Sequence, residues 1–135
     1  MQNTMDTRAA IAGLAVGVTT SARKTGAAKL TPLFRETVAG MPTRGEQEIR
    51  VLFATLDPGD RTPYHSHRFP VTVYILTGAF TLELDDRPPV TIRAGEAFVE
   101  PAGVRMTGRN LDAEQPTSMA IFYVCDPDTP FADPV

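Results

Sequence analysis

From residue 48 onward the chain alternates apolar and polar residues in short runs, each closed by a turn signal. After Glu48, residues Ile49, Val51 and Phe53 fall on one face and Arg50, Leu52 and Ala54 on the other, a period of two with both faces largely apolar. Asp57-Pro58-Gly59-Asp60 ends that run as a turn. A second run, Val71, Val73, Tyr74, Ile75 and Leu76, stops at Thr77-Gly78. Phe80, Leu82 and Leu84 alternate with Thr81 and Glu83 up to Asp85-Asp86-Arg87-Pro88-Pro89, a hairpin turn whose prolines cannot sit inside a central strand. Val90 and Ile92 resume the alternation, and Gly95-Glu96 turns the chain again. Ala97-Phe98-Val99, Val104 to Thr107 and Met119 to Val124 complete the series, with Leu111 to Thr117 a polar loop. Ahead of it all, Leu33 to Val38 reads as a short strand ended by Gly40 and Pro42. About eight short strands and no helix signal of useful length after residue 30 predict an all-β sandwich or small barrel.

The composition agrees and narrows the function classes. At 135 residues the chain makes one domain with a core that needs no disulfide, and its lone Cys125 cannot form an internal one. Twelve prolines and ten glycines suit many turns. A net charge of -3 gives no reason to expect nucleic acid or an anionic membrane as partner. Residues 9–18 are small and apolar, far short of the roughly 20 needed to span a bilayer. They serve either as the apolar part of a targeting segment ending near Thr20-Ser21-Ala22, or as an arm that packs on the domain or a neighbouring subunit. The expected division is an arm or targeting segment over 1–29, the β-domain over 30–125, and a tail over 126–135 that covers an edge or frays. The cytoplasm is the expected location, with a secreted or periplasmic one if residues 1–22 act as a targeting segment.

Candidate chemistry concentrates at His65 and His67, the only two histidines. In an extended backbone residues i and i+2 share a face, so both imidazoles enter one space, as a transition-metal site requires. Gly59 and Pro63 mark a turn before them. A second stretch, Gly95 to Asn110 (GEAFVEPAGVRMTGRN), carries glycine, proline and glycine at 95, 101 and 103.

The two stretches together resemble the paired motifs of the cupin superfamily, in particular its small single-domain bacterial members with the RmlC-like jelly roll. Gly59, His65, His67 and Gly78 fall on the places of the first motif, and Gly95, Pro101, Gly103 and Asn110 on those of the second. The resemblance covers roughly residues 48 to 124. It implies a double-sheet jelly-roll barrel with a pocket inside, behind an N-terminal arm, and a homodimer in which Leu33 to Val38 and the arm cover an edge. Many cupins hold a metal with three histidines and a glutamate. Here Val71 stands at the place of the acidic ligand and Met106 at that of the third histidine.

His65 and His67, with Met106 as a third ligand, form the expected metal site. Two imidazoles and a thioether favour copper or zinc over iron or manganese, because sulfur is the softer donor. Met106 also reads as a core filler. Tyr64 points to the face opposite His65, Tyr74 has no resolved face, and Glu100 and Arg105 read as turn charges at a pocket mouth. Cys125 reads as a small buried hydrophobe. No serine or cysteine is spaced as an activated nucleophile; His67 as a general base would need a partner acid, for which Tyr74 and Glu100 are candidates. Two functions from different classes follow: a small metal-dependent cupin acting on a small organic molecule, or a non-catalytic ligand-binding or structural cupin whose histidines face an apolar pocket of Val71, Phe80, Phe98 and Met106.

Overall fold

The computed structural model describes residues 26–135. Residues 26–31 belong to a separate N-terminal unit and run as exposed chain without helix or strand. The expected arm or targeting segment therefore lies almost wholly outside the described residues. From Pro32 the chain forms a second unit, all β, with strands β1 (Glu48–Leu56), β2 (His65–Ser66), β3 (Val71–Thr77), β4 (Ala79–Leu84), β5 (Val90–Arg93), β6 (Ala97–Glu100), β7 (Met106–Arg109), β8 (Thr117–Cys125) and β9 (Asp133–Pro134). Every ladder is antiparallel.

The strands form two sheets, one in the order β1-β8-β3-β6 and the other β5-β4-β7-β2-β9. This is a two-sheet jelly roll, and it corrects the expectation of a barrel: among the described residues no ladder joins the two sheets. The reason lies in the corners. The chain crosses between sheets through Gly78 and Gly95, where Ala94 N–H donates to Gly78 O (3.0 Å) and Gly95 N–H to Ile75 O (2.8 Å), isolated turn bonds that no strand extends. Gly78 has φ +76°, and a Cβ there would stand 2.5 Å from Pro116 O, so only glycine fits. Leu33 to Val38 is a second correction. It forms no strand, and Leu33 and Phe34 stay exposed, so it lacks both the ladder and the burial that hold a strand.

Between the sheets lies the core. Val71, Val73 and Ile75 of β3 and Met119, Ile121 and Tyr123 of β8 pack with Phe80, Leu82 and Leu84 of β4. Each such side chain gains about 1.5–3 kcal/mol on leaving water. Gly108 of β7 lets the Phe80 ring lie against the backbone, for a Cβ there would be 2.3 Å from its Cζ. Asn110 is a structural pin: its amide donates to Leu56 O (3.1 Å) and Gln115 O (2.8 Å) and accepts from Asp112 N–H (3.0 Å). Among the described residues β1 pairs only with β8 and leaves Ile49, Val51 and Phe53 exposed on its outer face. The tail from Asp126 ends in β9, which pairs with β2 and covers that edge.

Candidate metal centre

β2 is only two residues long, yet it is fixed from both sides. His65 pairs with Met106 of β7 and with Pro134 of β9, and Gly103 N–H donates to His67 O (2.8 Å). His65 and His67 enter the same space, as their i, i+2 spacing predicts, with ring centroids 4.8 Å apart and planes nearly perpendicular. Each ring is oriented by a main-chain carbonyl: His65 Nδ1 lies 2.6 Å from Pro63 O and His67 Nδ1 2.7 Å from Phe131 O. A carbonyl only accepts, so both Nδ1 atoms carry protons, and both Nε2 atoms are turned to the interior.

The residue that the sequence reading assigns to a turn is the third member. Glu100 ends β6 and is 4% exposed. In the β3–β6 ladder it lies directly opposite Val71, the place where the resemblance puts an acidic ligand. Cross-strand partners have Cβ atoms about 4.5–5.5 Å apart, so a carboxylate on the neighbouring strand reaches the space that Val71 leaves. Glu100 Oε1 stands 3.1 Å from His67 Nε2. A signal for this exists in the alternation of β6: Thr72 pairs with Val99 toward the outer face, and Val71 with Glu100 toward the inner one.

His65, His67 and Glu100 thus form one cluster, their donor atoms all within 4.8 Å of one another. Met106 is fully buried in the core, opposite His65 in the ladder. Cys125 is buried at the end of β8, apart from the cluster. Tyr64 is exposed and donates its hydroxyl to Asp85, Arg105 is exposed, and Tyr74 alternates with the inward Val73 and so faces away. Tyr123 packs its ring 6.1 Å from that of His67; its hydroxyl is buried without a hydrogen-bond partner, and burial pushes the phenol above its ordinary range.

A cavity of about 140 Å³ opens beside the cluster. Leu56, Val71, Val73, Phe80 and Ile121 supply most of its wall; Phe98 and Met106, expected there, belong to the packed core instead. Arginine and lysine are missing from the lining, so a bound anion would find no side-chain cation.

The residues fit a metal ion. Two imidazoles with outward-bonded Nδ1 atoms and a buried carboxylate make a donor set of two histidines and one glutamate, with its outer hydrogen bonds in place. His67 Nε2 and Glu100 Oε1 stand 3.1 Å apart, a separation that either a shared proton or a bound cation would bridge. With three protein donors, coordination positions remain for water or a substrate oxygen.

The sequence profile described as "Cupin domain" matches residues 52–124. No curated protein matches the chain. Among solved structures, the polyketide cyclase RemF from Streptomyces resistomycificus is similar at 23% identity and TM-score 0.56, over 67% of this chain and 63% of that one. A DMSP lyase, DddQ from Ruegeria pomeroyi, is similar at 20% identity and TM-score 0.54, over 61% of this chain and 41% of the lyase. An RmlC-like cupin family protein from Methanocaldococcus jannaschii is similar at 23% identity and TM-score 0.54, over 58% and 72%. These likenesses carry the fold.

Proposed function

The chain belongs to the cupin domain family, and from that premise we propose that it binds a first-row transition-metal ion through His65, His67 and Glu100 and acts on a small organic molecule there. The observation that carries the reading is the buried pairing of His67 with Glu100 beside His65, each imidazole turned by a carbonyl so that its Nε2 faces the others. In this reading Glu100 supplies the carboxylate that Val71 does not. Met106, at the third histidine's place and opposite His65, offers its thioether as a softer and dispensable donor. The carboxylate also removes the ground for disfavouring iron or manganese, since two imidazoles with one carboxylate serve zinc and iron equally; a preference for copper rests on Met106 alone.

A metal bound there would act as a Lewis acid on a substrate oxygen. The chain's own contribution is position and exclusion. The two carbonyl bonds hold the imidazoles, and the aliphatic wall keeps bulk water from the cluster. Glu100, against His67, is placed to take or return a proton at its Oε atoms. A homodimer belongs to the same reading, because β1 is an edge strand among the described residues and its exposed Ile49, Val51 and Phe53 suit a second copy. Sedimentation of the full chain tests that, and a monomer would remove it. We place the protein in the cytoplasm; a mature N-terminus just after Ala22 would overturn the placement.

The test is metal content after purification without chelator, for the protein and for His65→Ala and His67→Ala. About one equivalent of a single ion, lost in both variants, is the expected result. A protein that stays empty even on titration with zinc, iron, manganese, nickel and copper leaves the second reading, a non-catalytic binding protein with an apolar cavity.

A further inference from the structure

A second hollow, of about 320 Å³, opens to the outside beside the inner cavity, lined by Thr62, Pro63, His65, Phe131, Ala132 and Pro134. The two hollows share three residues, Thr62, His65 and Phe131, which therefore form the wall between them. Two of the three are pinned by polar bonds. Thr62 Oγ1 donates to Pro63 O (3.1 Å) and accepts from Gly108 N–H (2.9 Å), and the His65 ring is held by Pro63 O. The Phe131 ring is held by apolar packing against the core alone, edge-on to His67 (centroids 4.8 Å) and to Tyr123 (5.6 Å).

We propose that Phe131 sets the size limit of the ligand: its ring is the removable partition that confines the site to a small, uncharged, largely apolar molecule with one polar end toward the cluster. The inference rests on the metal-centre reading for what stands at the inner end. The chemistry of the ligand comes from the walls. Aliphatic side chains line the inner hollow and neither hollow has a lysine or arginine. A cavity near 150 Å³ lined by aliphatic and aromatic groups holds a benzene-sized molecule, so the inner hollow accommodates one six-membered ring and no second one. Removing the Phe131 ring would join it to the outer hollow and extend that limit.

Phe131 has two separable roles. Its carbonyl accepts from His67 Nδ1 and so orients a metal ligand, while its ring makes the wall. Substituting the side chain removes the wall and keeps the carbonyl. Its place is maintained by its neighbours: Asp133 takes two hydrogen bonds from Arg68 (3.0 and 3.1 Å), and Val135 N–H donates to Tyr64 O (3.2 Å).

The experiment is calorimetric titration of phenol and 2-naphthol into the full chain, into Phe131→Ala and into Phe131→Leu, with metal equivalents measured on the same samples. The protein should take up phenol and reject 2-naphthol. Phe131→Ala should bind 2-naphthol at least about tenfold more tightly than the parent does, since even two further buried carbons are worth that much, with Phe131→Leu between them. Equal discrimination in all three proteins, or no uptake of either probe by any of them, overturns the proposal. The Leu variant guards against misfolding of the Ala variant. Metal present with an unmoved size limit sinks this inference alone; a moved limit in protein that binds no metal sinks the metal-centre reading alone.

Discussion

Glu100→Gln separates a ligand from an orienting neighbour. The substitution keeps the shape and burial of the side chain and replaces a carboxylate by a neutral amide at 3.1 Å from His67 Nε2. With the His67 Nδ1 proton committed to Phe131 O, an amide N–H can donate to the Nε2 lone pair without any shared proton or cation. The metal-free fold should therefore lose little, about 1 kcal/mol or less, the net worth of one hydrogen bond exchanged for another. Metal binding should lose far more. Removing a group that only orients a ligand costs roughly 10- to 100-fold in affinity, so loss of a direct anionic donor should exceed about 100-fold, near 3 kcal/mol. Competition with a chelator of known affinity measures the metal affinity, and urea unfolding of the metal-free protein measures the stability. An affinity within about tenfold of the parent would place Glu100 outside the ligand set. Destabilisation of the empty protein by about 3–5 kcal/mol, the cost of breaking a buried ion pair, would mean that the pair serves the fold and not an ion.

Gly78→Ala should cost at least about 2 kcal/mol by urea unfolding, because the new Cβ meets Pro116 O at 2.5 Å and the residue keeps a left-handed φ; a neutral result would show that the turn between the sheets can move. Met106→Leu conserves volume, so stability should change by less than about 1.5 kcal/mol and zinc uptake should be unchanged; loss of zinc would make the thioether a required ligand. The hydrogen bonds from Arg68 hold the Asp133 carboxyl below its usual range. A depressed carboxylate stabilises above its unfolded value and loses that contribution as pH falls through the folded one. The protection of residues 131–135 against hydrogen exchange, relative to their intrinsic rates, should accordingly be constant near neutrality and fall below about pH 4. Arg68→Ala should remove that pH dependence, and persistence of it would assign the effect to another group.

Most strands are legible in the sequence because their alternation is strong and one face of each is buried. β3, β4, β5 and β8 fall within a residue or two of the runs that predict them. The barrel expectation fails because closure depends on whether edge strands find partners, which no local pattern records. Leu33 to Val38 has strand composition but no partner, so composition misleads there. His65 and His67 are legible from their i, i+2 spacing. Glu100 is not, because its role comes from a register: only when β6 lies antiparallel to β3 does position 100 meet position 71. A charge before Pro-Ala-Gly looks like a solvated turn in one dimension and becomes a buried donor in three. The sequence leaves the tail open between an edge cover and a frayed end, and the use of its residue 131 as a carbonyl for His67 joins positions sixty-four apart.

That separation bears on when the site comes into being during synthesis. At about 5–20 residues per second a ribosome needs several seconds to travel from His67 to Phe131. β1 and β3, made early, cannot join until β8 is inserted between them. A nascent chain thus emerges with its histidines unaligned, and the carbonyl that turns the second imidazole is translated sixty-four residues after it. An ion bound through His65, His67 and Glu100 would therefore meet its full donor set only after the fold is finished, and would take no part in guiding the chain toward it.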